Sequence, residues 1–210
     1  HGGCRQQLWR SHHMSKELVI VFMRNPALGN VKTRLAAGIG KERALEVYMR
    51  LLMHTLREVE RTGYPREAWY AGARPDLSSY HAKGFRSEQQ HGEDLGARMC
   101  YAFQRAFHAG YSKVLIIGTD CPALGAGHIE TAFKGLDSYD AVLGPTRDGG
   151  YYLLAMRRMI PELFVNKSWS SDTVAKDTMA DLADLGLSCA RLPELIDVDT
   201  ESDLADVVLP

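Results

Sequence analysis

The chain has 210 residues and a formal net charge of −1, so it exerts no global attraction for nucleic acid and must grip any anionic ligand locally. With 45% hydrophobic and 24% charged residues it reads as an ordinary soluble, globular protein, long enough for one substantial core. No apolar run approaches the ~18 residues expected of a membrane span. The cysteines Cys4, Cys100, Cys121 and Cys189 show no C-x-x-C pair and no regular spacing. A disulfide framework or structural zinc site is therefore not expected, and reduced thiols in a cytoplasmic protein are.

Residues 1–13 precede Met14, carry a His12-His13 pair and lack the apolar region of a signal peptide. They read as a leader or expression remnant, with a single domain over residues 14–210. Leu18 to Met23 (LVIVFM) is a continuous apolar run, which predicts a buried first strand. A loop from Arg24 to Thr33 follows. Leu45, Tyr48, Met49, Leu52, Leu56 and Val59 recur at helical spacing and predict a long amphipathic helix ending near Gly63. Ala68 to Ala71 and Phe85 to Gln89 are weaker strands. Leu95 to Ala109 reads as a helix capped by Asp94, with Gly110 beyond its end.

Further strands are predicted at Val114–Ile117, Ala141–Leu143 and Tyr151–Met156, the last antiparallel to its predecessor, with a helix around Ile129 to Leu136 between the first two. Pro161 opens a short helix, Asp172 to Leu185 forms a longer one, and a strand near Ala190 precedes a helix from Glu201. Strands alternating with helices predict an α/β protein with a mainly parallel sheet covered on both faces.

The segment Arg24 to Leu35 (RNPALGNVKTRL) places Arg24, Lys32 and Arg34 in a loop leaving a buried strand. Gly29 allows a tight turn, and the cations suit di- or triphosphate oxygens. It is not a nucleotide-binding P-loop, because Val31 stands where that pattern needs glycine before the lysine. A merely solvated basic loop is the alternative.

Gln89 to Met99 (QQHGEDLGARM) sets Gly92 and Gly96 around a helix start, where free N–H groups meet polar ligand edges. Gln90, Gly92, Asp94 and Arg98 are candidate nucleotide contacts; simple capping by Asp94 is the plainer reading. Asp120, in Gly118-Thr119-Asp120-Cys121-Pro122, and Asp148, in Asp148-Gly149-Gly150, each lie beyond the carboxyl end of a strand. Ligands bind at that edge of open α/β sheets. Two carboxylates there could hold Mg2+ or Mn2+ over a phosphate, although Asp also forms turns.

Asp197-Val198-Asp199 competes for the metal role, but capping of the helix at Glu201 by Asp199 or Thr200 is favoured. Tyr151, Tyr152 and Trp169 are candidates to border an acceptor pocket. None of His54, His81, His108 and His128 shows metal-binding spacing.

These ordered motifs, from Val31-Lys32-Thr33-Arg34-Leu35 through Ile117-Gly118-Thr119-Asp120-Cys121-Pro122 to Asp197-Val198-Asp199-Thr200, resemble a bacterial and archaeal family of nucleotide-diphospho-sugar transferases of GT-A type. The similarity covers about residues 17–208, and it extends more distantly to 2-phospholactate guanylyltransferase and the molybdenum-cofactor nucleotidyltransferases. It implies a Rossmann-like three-layer α/β/α domain, a divalent metal at Asp120, and phosphate contacts from Lys32 and Arg34. Two departures stand out: Arg24 replaces the usual lysine, and Gly125-Ala126-Gly127 replaces a Thr-Pro helix start, so that helix is expected to begin late or fray.

The combined expectation is a magnesium-dependent, glycosyltransferase-like enzyme using a nucleoside triphosphate or nucleotide sugar and a small acceptor. Lys32, Arg34 and Asp120 would be its catalytic groups. Nucleotidyl transfer with release of pyrophosphate, or nucleotide binding without catalysis, are the alternatives.

Overall fold

The computed structural model describes residues 16–80, 82–169 and 171–210. The leader, Met14, Cys4, His81 and Ser170 lie outside the described residues. The strands are β1 (Glu17–Arg24), β2 (Arg66–Ala71), β3 (Phe85–Gln89), β4 (Lys113–Ile117), β5 (Ala141–Pro145), β6 (Tyr151–Met156) and β7 (Cys189–Arg191). The α-helices are α1 (Thr33–Ile39), α2 (Lys41–Thr62), α3 (Leu95–His108), α4 (Ala126–Gly135), α5 (Val174–Asp184) and α6 (Glu201–Ala205). Single 3-10 turns occupy Leu77–Tyr80 and Pro161–Phe164.

One sheet runs in the order β3-β2-β1-β4-β6-β5-β7. β1 pairs in parallel with β2 and β4, β2 with β3, and β5 with β7. Only β6 is reversed, antiparallel to both β4 and β5, as its closeness in sequence to β5 implies.

The unbroken apolar run of β1 is explained by helices on both faces of the sheet. Val19, Val21 and Met23 face one layer, with Tyr48, Leu52 and Leu56 of α2 and Ile129 and Phe133 of α4. Leu18, Ile20 and Phe22 face the other, with Met99 and Phe103 of α3 and Leu182 of α5. β3 lies at the sheet edge and is accordingly polar, FRSEQ, with no fully buried residue.

Two helix starts depart from expectation. Helix α1 was not anticipated: of its residues only Leu35 is buried, so it carries no apolar periodicity. Helix α4 begins at Ala126, immediately after Gly125, and is not delayed by its glycines. The N–H groups at its start are met by side chains: Ala126 N–H donates to Glu58 of α2 at 2.9 Å, and Gly125 N–H donates to Nδ1 of the helix's own His128 at 3.1 Å.

Phe103 is fully buried and lies 5.7 Å from Phe164, ring centre to ring centre. Phe103→Ala should lower the unfolding free energy by about 3–5 kcal/mol, read as a reduced midpoint in urea denaturation.

Candidate functional site

The carboxyl ends of β1, β2 and β4 and the start of β6 open onto a cavity of about 700 Å³. Of the residues singled out in the sequence, Arg24, Lys32, Arg34, Gln90, Asp94, Arg98, Asp120, Tyr151, Tyr152 and Trp169 line it. Gly29 and Gly92 do not. Gly29 (φ +78°) shapes its loop beside Lys41. Gly92 (φ +141°) passes so close to α3 that a Cβ there would sit 2.7 Å from Arg98 N, so its role is steric.

Several of the lining side chains also hold the cavity wall. Asp94 caps α3 by accepting from Ala97 N–H at 2.7 Å. Arg98 donates from Nε to Gly92 O at 3.0 Å, and the Gln90 amide donates to the carbonyls of Trp69 and Met23 at 2.8 and 3.2 Å. Tyr48 fastens the Arg24 main chain, accepting from its N–H and donating to its C=O, both at 2.9 Å.

The electrostatic centre is Lys32. It is the N-cap of α1 and sits in the left-handed region (φ 51°, ψ 45°), which costs a non-glycine residue about 1–2 kcal/mol. That backbone turn sends the ammonium inward, where only 5% of the side chain is exposed. Its Nζ lies 2.6 Å from Asp120 and 2.9 Å from Asp199. Burial acts against its charge, but the two carboxylates outweigh burial and raise its proton affinity above the ordinary lysine value. Arg34, largely exposed, binds the other oxygen of Asp199. Burial alone would raise the Asp199 pKa; the two cations reverse this and hold it below the usual carboxylate range.

Asp148, Asp197 and Asp199 offer oxygens that all lie within 4.8 Å of one another, and Asp120 is not in that group. Asp148 forms a turn, as one of its two readings had it. It closes its turn by accepting from Thr146 Oγ1 at 2.6 Å and Gly150 N–H at 3.0 Å, and it also faces the other two acids.

The expected capping of the helix at Glu201 by Asp199 or Thr200 is met by Thr200. Thr200 forms a reciprocal capping box with Asp203, while Asp197 and the cation-bound Asp199 face Asp148. Burial, then repulsion from Asp148 and Asp199, raises the Asp197 pKa to about 7. The segment is drawn there by main-chain pairing. Leu195 N–H donates to Pro145 O at 3.1 Å, Arg147 N–H to Leu195 O at 3.0 Å, and Val198 N–H to Asp120 O at 2.9 Å. The literal D-x-D was the one sequence signal for this group; nothing local tied it to residue 148.

Trp169 lies over Gly96 at the start of α3, where an added Cβ would come within 2.3 Å of the indole. Gly96 thus makes room for the ring. The segment bearing Trp169 is anchored by the buried Lys167, which pairs with Asp181 of α5.

Residues 55–171 match the family described as uncharacterized proteins conserved in bacteria (DUF2064). The crystal structure of a candidate nucleotide-diphospho-sugar transferase from Desulfovibrio desulfuricans G20 superposes with a TM-score of 0.85 at 32% identity, covering 91% of this chain and 85% of that one. A 2-phospho-L-lactate guanylyltransferase of Methanocaldococcus infernus is 25% identical over 132 residues, 62% of this chain but only 57% of that enzyme. The manganese complex of Rv0371c from Mycobacterium tuberculosis H37Rv shares the fold alone, with a TM-score of 0.55 at 14% identity over 90% of this chain and 96% of the other. The chain belongs to the DUF2064 family and has the α/β fold of the nucleotide-diphospho-sugar transferases.

Proposed function

We propose that this protein is a divalent-cation-dependent transferase that takes a nucleotide-activated donor, foremost a nucleotide sugar, and passes its activated group to a small acceptor. The observation that carries this reading is the carboxylate trio Asp148, Asp197 and Asp199 beside the Lys32–Arg34 pair, at the sheet edge where α/β proteins bind ligands. Three carboxylates and no nitrogen or sulfur donor suit a hard cation such as Mg2+ or Mn2+. Asp197, holding its proton up to about pH 7, marks negative charge that the protein's own cations leave uncompensated. A cation held there would neutralise charge on the donor's phosphate oxygens.

Around it, Lys32 and Arg34 stabilise charge growing on the phosphate leaving group, which is worth a few kcal/mol per well-aimed group. Asp120 positions Lys32. Arg24, Gln90 and Arg98 face the nucleotide from the far wall, with Asp94 holding the helix start beside them. Cys100, Cys121 and Cys189 are free thiols, and a cytoplasmic location is part of the same proposal. No helix among the described residues is long and apolar enough to cross a membrane.

A second reading, nucleotidyl transfer with release of pyrophosphate, is favoured by the similarity to a guanylyltransferase. A dense cluster of free cations would support it further, because it would suit a leaving pyrophosphate. Lys32 and Arg34 are instead engaged by Asp120 and Asp199, which lessens that argument.

Three outcomes are expected. Incubation with Mg2+, each nucleotide sugar or each triphosphate, and a metabolite pool should release nucleoside diphosphate; pyrophosphate would select the second reading, and no turnover at all would leave a binding protein. In calorimetric titration, Asp197→Asn should weaken nucleotide binding at least tenfold in Mg2+ and little without it. Asp120→Asn, acting through Lys32, should weaken it under both conditions; an unchanged affinity for Asp197→Asn would sink the metal assignment.

The third outcome concerns stability of the metal-free protein. Because the folded-state pKa of Asp197 is raised, the penalty for its charge is absent below about pH 4, grows as the pH rises, and is complete above about pH 7. Asp197→Asn removes it. The variant should be more stable than the parent by on the order of 2 kcal/mol at pH 8, converging with it toward pH 4, in chemical denaturation with a chelator present.

A further inference from the structure

We infer that the acceptor is a hydroxylated molecule without phosphate or carboxylate, uncharged or cationic, such as a sugar, amino sugar or polyol. This rests on the donor reading above and names the partner substrate of the same site. The acceptor's place is a second cavity of about 640 Å³, which shares Arg34, Asp120, Tyr151, Trp169 and Asp199 with the first. Its own wall adds Asp148, Asp172 and Asp197.

Charge decides the class. Among the described residues lining this second cavity, Arg34 alone is basic, and its guanidinium is held by Asp199. A divalent cation would offset two of the charges of the trio. Lys32 and Arg34 would offset the third and Asp120. Asp172 remains, and the donor's phosphates add further negative charge beside it. A phosphate monoester would enter against that surplus, and Arg34, the one basic residue among those described in this wall, is already shared between Asp199 and the donor phosphate. Ionised carboxylates only accept hydrogen bonds, so the acids of this wall serve hydroxyl and ammonium donors and repel phosphate oxygens.

The wall is built and not incidental. Gly149 has φ +90° and lies so near the start of α5 that an added Cβ would be 1.8 Å from Asp172 O. Ala175 N–H donates to Gly149 O at 2.9 Å, which locks the Asp148 turn against the Asp172 segment. Opposite, the half-buried Trp169 indole and Tyr151 supply an aromatic side. A flat apolar face with acidic hydrogen-bond acceptors around it suits the C–H face and O–H rim of a sugar ring.

The step balances without another reactant. An acceptor hydroxyl oxygen bonds to the anomeric carbon. The bond from that carbon to the donor phosphate oxygen breaks, its electron pair leaves on the nucleoside diphosphate, and the hydroxyl proton passes to solvent at the exposed Asp172 rim.

The test uses the full chain with Mg2+ and the nucleotide sugar it turns over. Release of nucleoside diphosphate is measured for matched pairs: glucose and glucose 1-phosphate, glucosamine and glucosamine 6-phosphate, glycerol and glycerol 3-phosphate. The unphosphorylated member of a used pair should have at least tenfold higher kcat/KM, and Asp172→Lys should cut that ratio at least tenfold. A preference for phosphate monoesters, a ratio unmoved by Asp172→Lys, or donor binding with no unphosphorylated acceptor used would overturn the assignment. Absence of Mg2+-dependent nucleotide binding in calorimetry would instead overturn the donor reading beneath it.

Discussion

The buried ammonium of Lys32, held between Asp120 and Asp199, is the interaction on which the arrangement of the site depends. It joins the loop after the first strand, the loop after β4 and the closing segment of the chain, with Lys32 and Asp199 lying 167 positions apart. Each partner needs the others. A desolvated ammonium without carboxylates would lose its charge or its burial, and two such carboxylates without it would repel. The left-handed backbone at Lys32 is the local strain that this triad offsets.

From that triad the charges step outward in order. Asp199 is shared: one oxygen meets Lys32, the other meets Arg34, and the group also faces Asp148 and Asp197. Asp199 is thereby kept ionised, while Asp197, with no cation of its own among the described residues, is pushed toward the neutral form. Two neighbouring aspartates in one short segment thus have opposite proton affinities because only one is paired. A cluster of this kind works against folding stability unless something offsets its charge.

The fold was legible because its signals are local and repeated. The run at β1, the helical spacing in α2, the Asp94 cap and the short β5–β6 connection each follow from periods and turn chemistry within a few residues. Helix α1 escaped, since a seven-residue helix burying one leucine has no periodicity to read. The start of α4 was misjudged because Glu58, on a helix far back in the chain, supplies the acceptor that its glycines lack.

What the sequence by itself determined is the alternation of strands and helices, the sheet edge at which Lys32, Arg34, Asp120 and Asp148 gather, and the family whose motifs these residues carry. Only the tertiary structure decided which acids act together. Asp120 turned to Lys32, while Asp197 and Asp199 came to Asp148, because the closing segment pairs with the end of β5 and the loop after β4 through main-chain hydrogen bonds. Backbone pairing of that kind depends on the path of the whole chain and hardly on side-chain identity, so it leaves no pattern in the local residues.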